Sequence, residues 1–367
     1  MQLPNLRIGD LVAQIPVVQG GMGVGISLSG LASAVANEGG IGVIAGAMIG
    51  MGEADLAANP LEANVRALKR EIRKARSLTK GLLGVNIMVA LTHFAEMVIA
   101  AIEEGIDFIF SGAGLALDLP KYLNHSSRPK LVPIVSSGRA AEVLCKKWTR
   151  YSHLPDAFVV EGPMAGGHLG LKPEQIFDPE FTLEKLVSEV LAAVKPFEEQ
   201  HGKAIPVIAA GGVYTGADIH KFLKMGAAGV QMATRFVATH ECDADMAFKQ
   251  AYVNAGREDI VIIQSPVGLP GRAINNEFLE SVKRGEKIPF TCPYHCIRTC
   301  DHRRSPYCIA LALMQAKKGN LKRGFVFSGQ NAYRVDRIVS VRELIESLAQ
   351  EFAEAQRADA EDQRLAS

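Results

Sequence analysis

The sequence predicts an α/β protein: a TIM-type (β/α)8 barrel with a C-terminal helical extension that carries cysteines. Three observations predict it. Eight short apolar runs, several ending in small residues, recur through the first 240 residues. Most are spaced by about 25 residues, the length of one βα unit. Helical stripes fill the gaps between them.

The runs begin near residues 16, 41, 82, 108, 131, 157, 205 and 229. They are continuous rather than alternating, as expected of parallel strands covered on both faces. After the first, Ser29 is placed to cap a helix bearing Leu31 and Val35, with a stop at Gly39-Gly40. Leu61, Val65, Leu68, Ile72 and Ala75 form one helical stripe. Segments 93–105, 138–152, 183–201 and 215–225 read the same way. Cys145 and Cys242 fall on expected helix positions and read as small buried apolar groups. A doubly wound open sheet uses the same units. The strand-end motifs described below favour the barrel.

From about residue 257 the rhythm breaks. A Pro/Gly loop occupies 265–271, and four cysteines follow. Ser305 and Pro306 suggest the cap and first turn of a helix that ends before Gly319. Ser340-Val341-Arg342-Glu343 reads as a capping box opening a last helix. About a dozen final residues are polar and read as frayed. The sequence therefore divides into a barrel over 1–256 and a packed extension over 257–367.

Composition narrows the function. Lys and Arg number 40 against 39 Asp and Glu, so no basic footprint for nucleic acid exists. No apolar run is long enough for a membrane span, and the N-terminus lacks a signal-peptide pattern. A cytoplasmic protein acting on a small molecule is expected. A homodimer stays open. Six cysteines in 367 residues do not make a disulfide scaffold. The 35 glycines exceed the average share of about 7%.

The glycines gather at strand ends, where barrels keep their chemistry. Gly20-Gly21-Met22-Gly23-Val24-Gly25 follows the first strand. It can bring backbone close to a flat ring or a phosphate, or it can simply turn the chain tightly. Gly40-Ile41-Gly42-Val43-Ile44-Ala45 has dinucleotide-fingerprint spacing but runs into a strand, so it reads as structural. Gly211-Gly212 ends the seventh strand, and Ala233-Thr234 ends the eighth. Loops after strands seven and eight are the usual barrel phosphate site. In Ala165-Gly166-Gly167-His168-Leu169-Gly170, a histidine sits among glycines on a strand-end loop. It is the candidate catalytic residue, because imidazole can exchange a proton near neutral pH. Its competing role is to fix loop backbone.

Together, Gly20-Gly21-Met22-Gly23, Gly84-Val85-Asn86, the Gly166-Gly167-His168 loop, Ala210-Gly211-Gly212 and Gln231-Met232-Ala233-Thr234 resemble the nitronate monooxygenase (2-nitropropane dioxygenase) family. The flavin-type enoyl-ACP reductases share this superfamily. The resemblance covers roughly 10–280, and Phe327-Ser328-Gly329-Gln330 looks like the family's terminal Gly-Gln element. It implies a TIM barrel holding FMN. Gly21, Met22, Gly23 and Asn86 would lie along the flavin, with Gly167 at its border. Gly211, Gly212, Ala233 and Thr234 would hold the phosphate. His168 would be the active-site histidine, deprotonating a nitroalkane or orienting a nitronate that is oxidised with oxygen to a carbonyl compound and nitrite. An enoyl thioester reductase using NAD(P)H, or an anaerobic flavoprotein with an iron–sulfur relay, is the alternative. A barrel binding nucleotide phosphate without redox chemistry is the reading from another class. Met164 stands where family members often carry Glu.

Cys292, Cys296, Cys300 and Cys308 have the spacing C-x3-C-x3-C-x7-C. They suit a [4Fe–4S] cluster, a zinc site, buried thiols or a redox pair. On a straight helix Cys292 and Cys300 would stand about 12 Å apart along the axis. A shared metal therefore requires a looped segment.

Overall fold

A computed structural model describes residues 3–123 and 129–366. Eight parallel strands close into a barrel. They are β1 (Val17–Gln19), β2 (Ile41–Ala45), β3 (Leu82–Asn86), β4 (Phe108–Ser111), β5 (Lys130–Val135), β6 (Phe158–Glu161), β7 (Val207–Ala210) and β8 (Gly229–Met232). Neighbours follow chain order, and β8 pairs back to β1 through Gln231↔Val18. All eight apolar runs of the sequence become barrel strands.

Helices α1 (Ser29–Asn37), α2 (Pro60–Leu78), α3 (Phe94–Glu103), α4 (Gly138–Trp148), α5 (Leu183–His201) and α6 (Gly216–Lys224) lie around the barrel. Two apolar layers result. Val18, Ile41, Val43, Phe108, Phe110, Val159 and Ile208 fill the barrel interior. Leu31, Leu68, Ile72, Trp148, Val190 and Ile219 belong to the layer between strands and helices. Burying side chains on both strand faces is why the runs do not alternate.

A hairpin of Leu6–Ile8 and Leu11–Ala13 closes the N-terminal end of the barrel. Its Leu6 and Ile8 join the interior cluster, and Leu6 packs beside Gly229 at the start of β8. The C-terminal end of the strands is left for loops, as the fold requires.

Beyond the barrel, β9 (Ile260–Gln264), β10 (Pro270–Ile274) and β11 (Val326–Phe327) form an antiparallel sheet. A two-residue strand, Gly167–His168, joins its edge by pairing with Gly271 and Arg272 of β10. The extension is thereby bonded to the loop after β6. The C-terminal helix Val341–Ala366 packs on α6, where a Cβ added to Gly216 would lie 2.2 Å from the Leu348 carbonyl oxygen. No helix among the described residues is long and apolar enough to cross a membrane.

Four local expectations change. Ser29 does not cap α1; the Asp243 carboxylate does, accepting from the N–H groups of Leu28, Gly30 and Leu31. A distant carboxylate meets the orphan donors and the positive helix end together. Cys242 is buried in the loop beside Asp243, not on a helix, whereas Cys145 is buried within α4. The helix expected from Ser305 starts later, at Ile309, with Cys308 in the cap position. Ser305 instead donates its hydroxyl to the Asp301 carbonyl. The last helix opens with the Ser340/Glu343 box as expected, but runs on to Ala366 instead of fraying.

Candidate active site

The loops at the C-terminal ends of the strands bring the predicted residues together in two groups. The first joins β1, β2 and β3. Gly21 follows β1 and lies flat against Asn86, the last residue of β3. A Cβ on Gly21 would stand 2.4 Å from the Asn86 Cβ, a distance no side chain tolerates. Gly23 abuts Ala47 in the loop after β2. Met22 is held by its N–H, which donates to Ser27 Oγ at 2.9 Å.

The second group joins β6, β7, β8 and the extension. Gly211 (φ +84°) and Gly212 (φ +122°) both lie in the left-handed region, which glycine enters without strain. A Cβ on Gly212 would meet the Met164 side chain. Asn331 Nδ2 donates to the Gly212 carbonyl at 2.8 Å, and Gln330 N–H donates to the Met164 carbonyl at 3.1 Å. Gly329 lies against Thr234, with the Thr234 Oγ1 2.6 Å from where its Cβ would be. Ala233 precedes Thr234 at the start of a short helix after β8. The loops after β6, β7 and β8 thus share one rim with the Gly329–Asn331 segment.

His168 sits between the extension sheet and the barrel mouth. Its Nε2 lies 2.7 Å from the Ser265 Oγ, and its ring meets Phe327 edge-on at 5.1 Å. Burial without a charged partner pushes the imidazole down to about 4, so it is neutral at pH 7. Gly167 beside it adopts φ +73°, and nothing lies within 4 Å of the place where its Cβ would be. The open space therefore lies at the Gly167 backbone, next to the histidine on this strand-end loop.

Several residues here escaped the sequence reading. Glu161 ends β6, and burial pushes its carboxyl up to about 7 even though the Gly170 N–H favours the charged form. It looked like the last letter of an apolar strand. A lone carboxylate closing such a run was the available signal. Arg272 is 2% exposed and donates through Nη1 to the carbonyls of Pro163 and Ala165, at 2.7 and 2.5 Å. It fixes the loop that leads into His168. Ser265 lay inside the Pro/Gly loop, with nothing local to mark it. Met164 is 39% exposed and covers Gly212.

The four clustered cysteines line one cavity, separate from both groups, together with His295 and His302. All four are free thiols in a segment that is looped rather than helical. Burial, and then the neighbouring Cys308, Cys292 and Cys300, pushes the Cys296 thiol up to about 12.

With this geometry in place, the sequence profile described as nitronate monooxygenase matches residues 6–351. The chain belongs to the nitronate monooxygenase family. This is a family of flavin-dependent oxidoreductases. Among curated relatives, the chain is 28% identical over 308 residues to a probable nitronate monooxygenase of Staphylococcus aureus, covering 75% of this chain and 79% of that one. It is 30% identical over 272 residues to the (3aS,4S,5R,7aS)-5-hydroxy-7a-methyl-1-oxo-octahydro-1H-indene-4-carboxyl-CoA dehydrogenase of Mycobacterium tuberculosis, covering 74% of this chain and 66% of that one. The match thus spans just under two thirds of that relative. The solved structure of FabK from Thermotoga maritima is similar with a TM-score of 0.72 and 28% identity, covering 94% of this chain and 95% of that one.

Proposed function

We propose that this member of the nitronate monooxygenase family holds FMN at the barrel mouth and oxidises alkyl nitronates to carbonyl compounds and nitrite with oxygen. The residues present fit the flavin. Gly21 and Asn86 make a surface that any added Cβ would break, and Gly211 and Gly212 turn in conformations that suit glycine. Gly21, Met22, Gly23 and Asn86 would line the ring and ribityl chain, with Gly167 at the border. Gly211, Gly212, Ala233 and Thr234 would hold the phosphate, as loops after strands seven and eight do in many barrels. Bound there, FMN supplies the one-electron and two-electron chemistry that no side chain of this chain offers.

The observation that carries the reading is the neutral His168 beside the open edge of Gly167. An imidazole held near 4 is a weak base. A nitronate arrives already deprotonated and needs a hydrogen-bond donor, not a base. With Ser265 bonded to Nε2, the imidazole is oriented and its tautomer is set by whether Ser265 donates or accepts. Phe327 packs against the ring at 5.1 Å. His168 would orient the nitro oxygens, and turnover on a nitronate should exceed turnover on the matching neutral nitroalkane. Nitrite release from an alkyl nitronate by FMN-loaded protein in air tests this. No nitrite from either form of substrate rejects it.

A second reading has its own support. Burial raises Glu161 to about 7, so its protonated form is well populated near neutral pH, as a proton donor to a substrate carbon requires. A CoA thioester dehydrogenase and FabK are among the similar proteins. An enoyl thioester reductase would fit that pairing. NAD(P)H-dependent loss of a crotonyl thioester, without nitrite release from nitronates, would select it.

A further inference from the structure

The nitronate reading leaves four thiols without a role. Cys292, Cys296, Cys300 and Cys308 line a single cavity, and none is in a disulfide. Buried thiols scattered as small apolar groups would not converge in this way. The loop that carries them is also fixed in place. Thr92 N–H donates to the Cys296 carbonyl at 3.1 Å, and Arg298 N–H donates to the Ala90 carbonyl at 3.1 Å. Leu91 and Ile297 form a β-bridge, and the Arg298 guanidinium bonds the Val89 and Leu91 carbonyls. These contacts anchor the loop to the segment just beyond β3. The thiols are therefore presented to one another by a braced, non-helical backbone.

The spread of the sulfurs separates two kinds of centre. Four thiolates on one zinc ion stand about 3.8 Å apart, from bonds of about 2.3 Å at tetrahedral angles. Here they do not form such a set. Among the described residues, the set of potential ligands here whose ligand atoms all lie within 4.8 Å of one another is Cys292, His295 and His302, which takes only one of the four cysteines. Four thiols around one cavity, but too dispersed for one ion, suit a centre in which each thiolate meets a different iron. We propose that Cys292, Cys296, Cys300 and Cys308 bind a [4Fe–4S] cluster.

The site stands at the rim of the barrel mouth. Val267 lines the cysteine cavity, its N–H reaches Ser265 Oγ at 3.4 Å, and Ser265 meets His168. On the other side Cys296 and Cys308 pack against an apolar cluster that includes Val24, next to Gly23. The cluster would lie between the loop after β1 and the turn that holds His168. Its existence does not depend on which substrate the barrel takes.

Full-length protein purified without oxygen, and the same protein reconstituted anaerobically with ferrous iron and sulfide, decides the matter. Iron and acid-labile sulfide should each reach about four per chain, with an electron paramagnetic resonance signal after dithionite reduction. Cys300→Ala and Cys308→Ala should each lose most of the iron, while the double variant His295→Ala/His302→Ala keeps it. Circular dichroism on the same samples shows whether each variant is folded. The wild-type analysis needs no variant at all. One zinc per chain that disappears in the histidine double variant would overturn the cluster in favour of a single-ion site. Reconstituted wild-type protein holding neither iron nor sulfide would also overturn it.

Discussion

The Nε2 of His168 lies 2.7 Å from the Oγ of Ser265, across 97 residues of chain. The contact exists because Gly167–His168 pairs with Gly271 and Arg272, which places β10 and the turn before it over the loop after β6. A residue of the extension thus orients the candidate catalytic group of the barrel. Ser265→Ala should leave folding intact, since one such hydrogen bond contributes about 1 kcal/mol. It should lower turnover by about tenfold, because a mispositioned group loses more in rate than in stability. Steady-state kinetics beside a thermal melt would show the split. Unchanged turnover would mean that Ser265 does not position the imidazole.

His168 and Glu161 oppose each other in the pH dependence of stability. Burial holds His168 at about 4, below its ordinary 6.5. Between those values the unfolded chain binds the extra proton, so this group adds stability as pH rises and withdraws it as pH falls. Glu161 is held at about 7, above its ordinary 4.5. Its contribution is full below 4.5 and is lost as pH rises through 7. Each effect is worth about 3 kcal/mol at full extent, so they nearly cancel in the wild type. His168→Gln should give a melting temperature that falls from pH 4.5 to 7, and Glu161→Gln one that rises over the same window. Parallel profiles in the two variants would refute the assignment.

Gly21→Ala tests the first cofactor loop. The new methyl would collide with the Asn86 Cβ, and backbone must shift to admit it. Overpacking of this kind costs about 1–3 kcal/mol. The shift falls on the surface proposed for the flavin, so FMN affinity should drop by about tenfold to a hundredfold. Fluorescence titration of FMN into apoprotein measures it. Unaltered affinity would place the flavin elsewhere.

Arg272→Met removes the donor to the Pro163 and Ala165 carbonyls. Two buried acceptors would then lack this partner, at about 1–3 kcal/mol each. The protein should melt several degrees lower and lose turnover further, because the loop that leads into His168 loosens. A variant as stable as wild type would show that the carbonyls find other donors.

Much of this fold was legible in the residues. Continuous runs such as Phe158–Glu161 and Val207–Ala210 could only be strands buried on both faces, and their spacing left room for one helix each. His168 was legible because a histidine between glycines at a strand end is neither core nor ordinary surface. What the sequence hid was long-range. Ser265 and Arg272 reach the site through antiparallel pairing with a two-residue strand, and no local periodicity announces such a pairing. Asp243 caps α1 from beyond residue 240 for the same reason, whereas Ser29 looked sufficient locally. Glu161 was hidden by its neighbours, since Phe158, Val159 and Val160 make it read as a strand terminus.

The proposed reaction joins a flavin at the barrel mouth to a nitronate at His168. Anaerobic mixing of the FMN-loaded protein with an alkyl nitronate, followed through the visible spectrum, tests both at once. The flavin absorbance should bleach on mixing, slowed by about a hundredfold in His168→Ala. A flavin spectrum that stays unchanged with the nitronate, yet bleaches with NAD(P)H and recovers on adding an enoyl thioester, would contradict it.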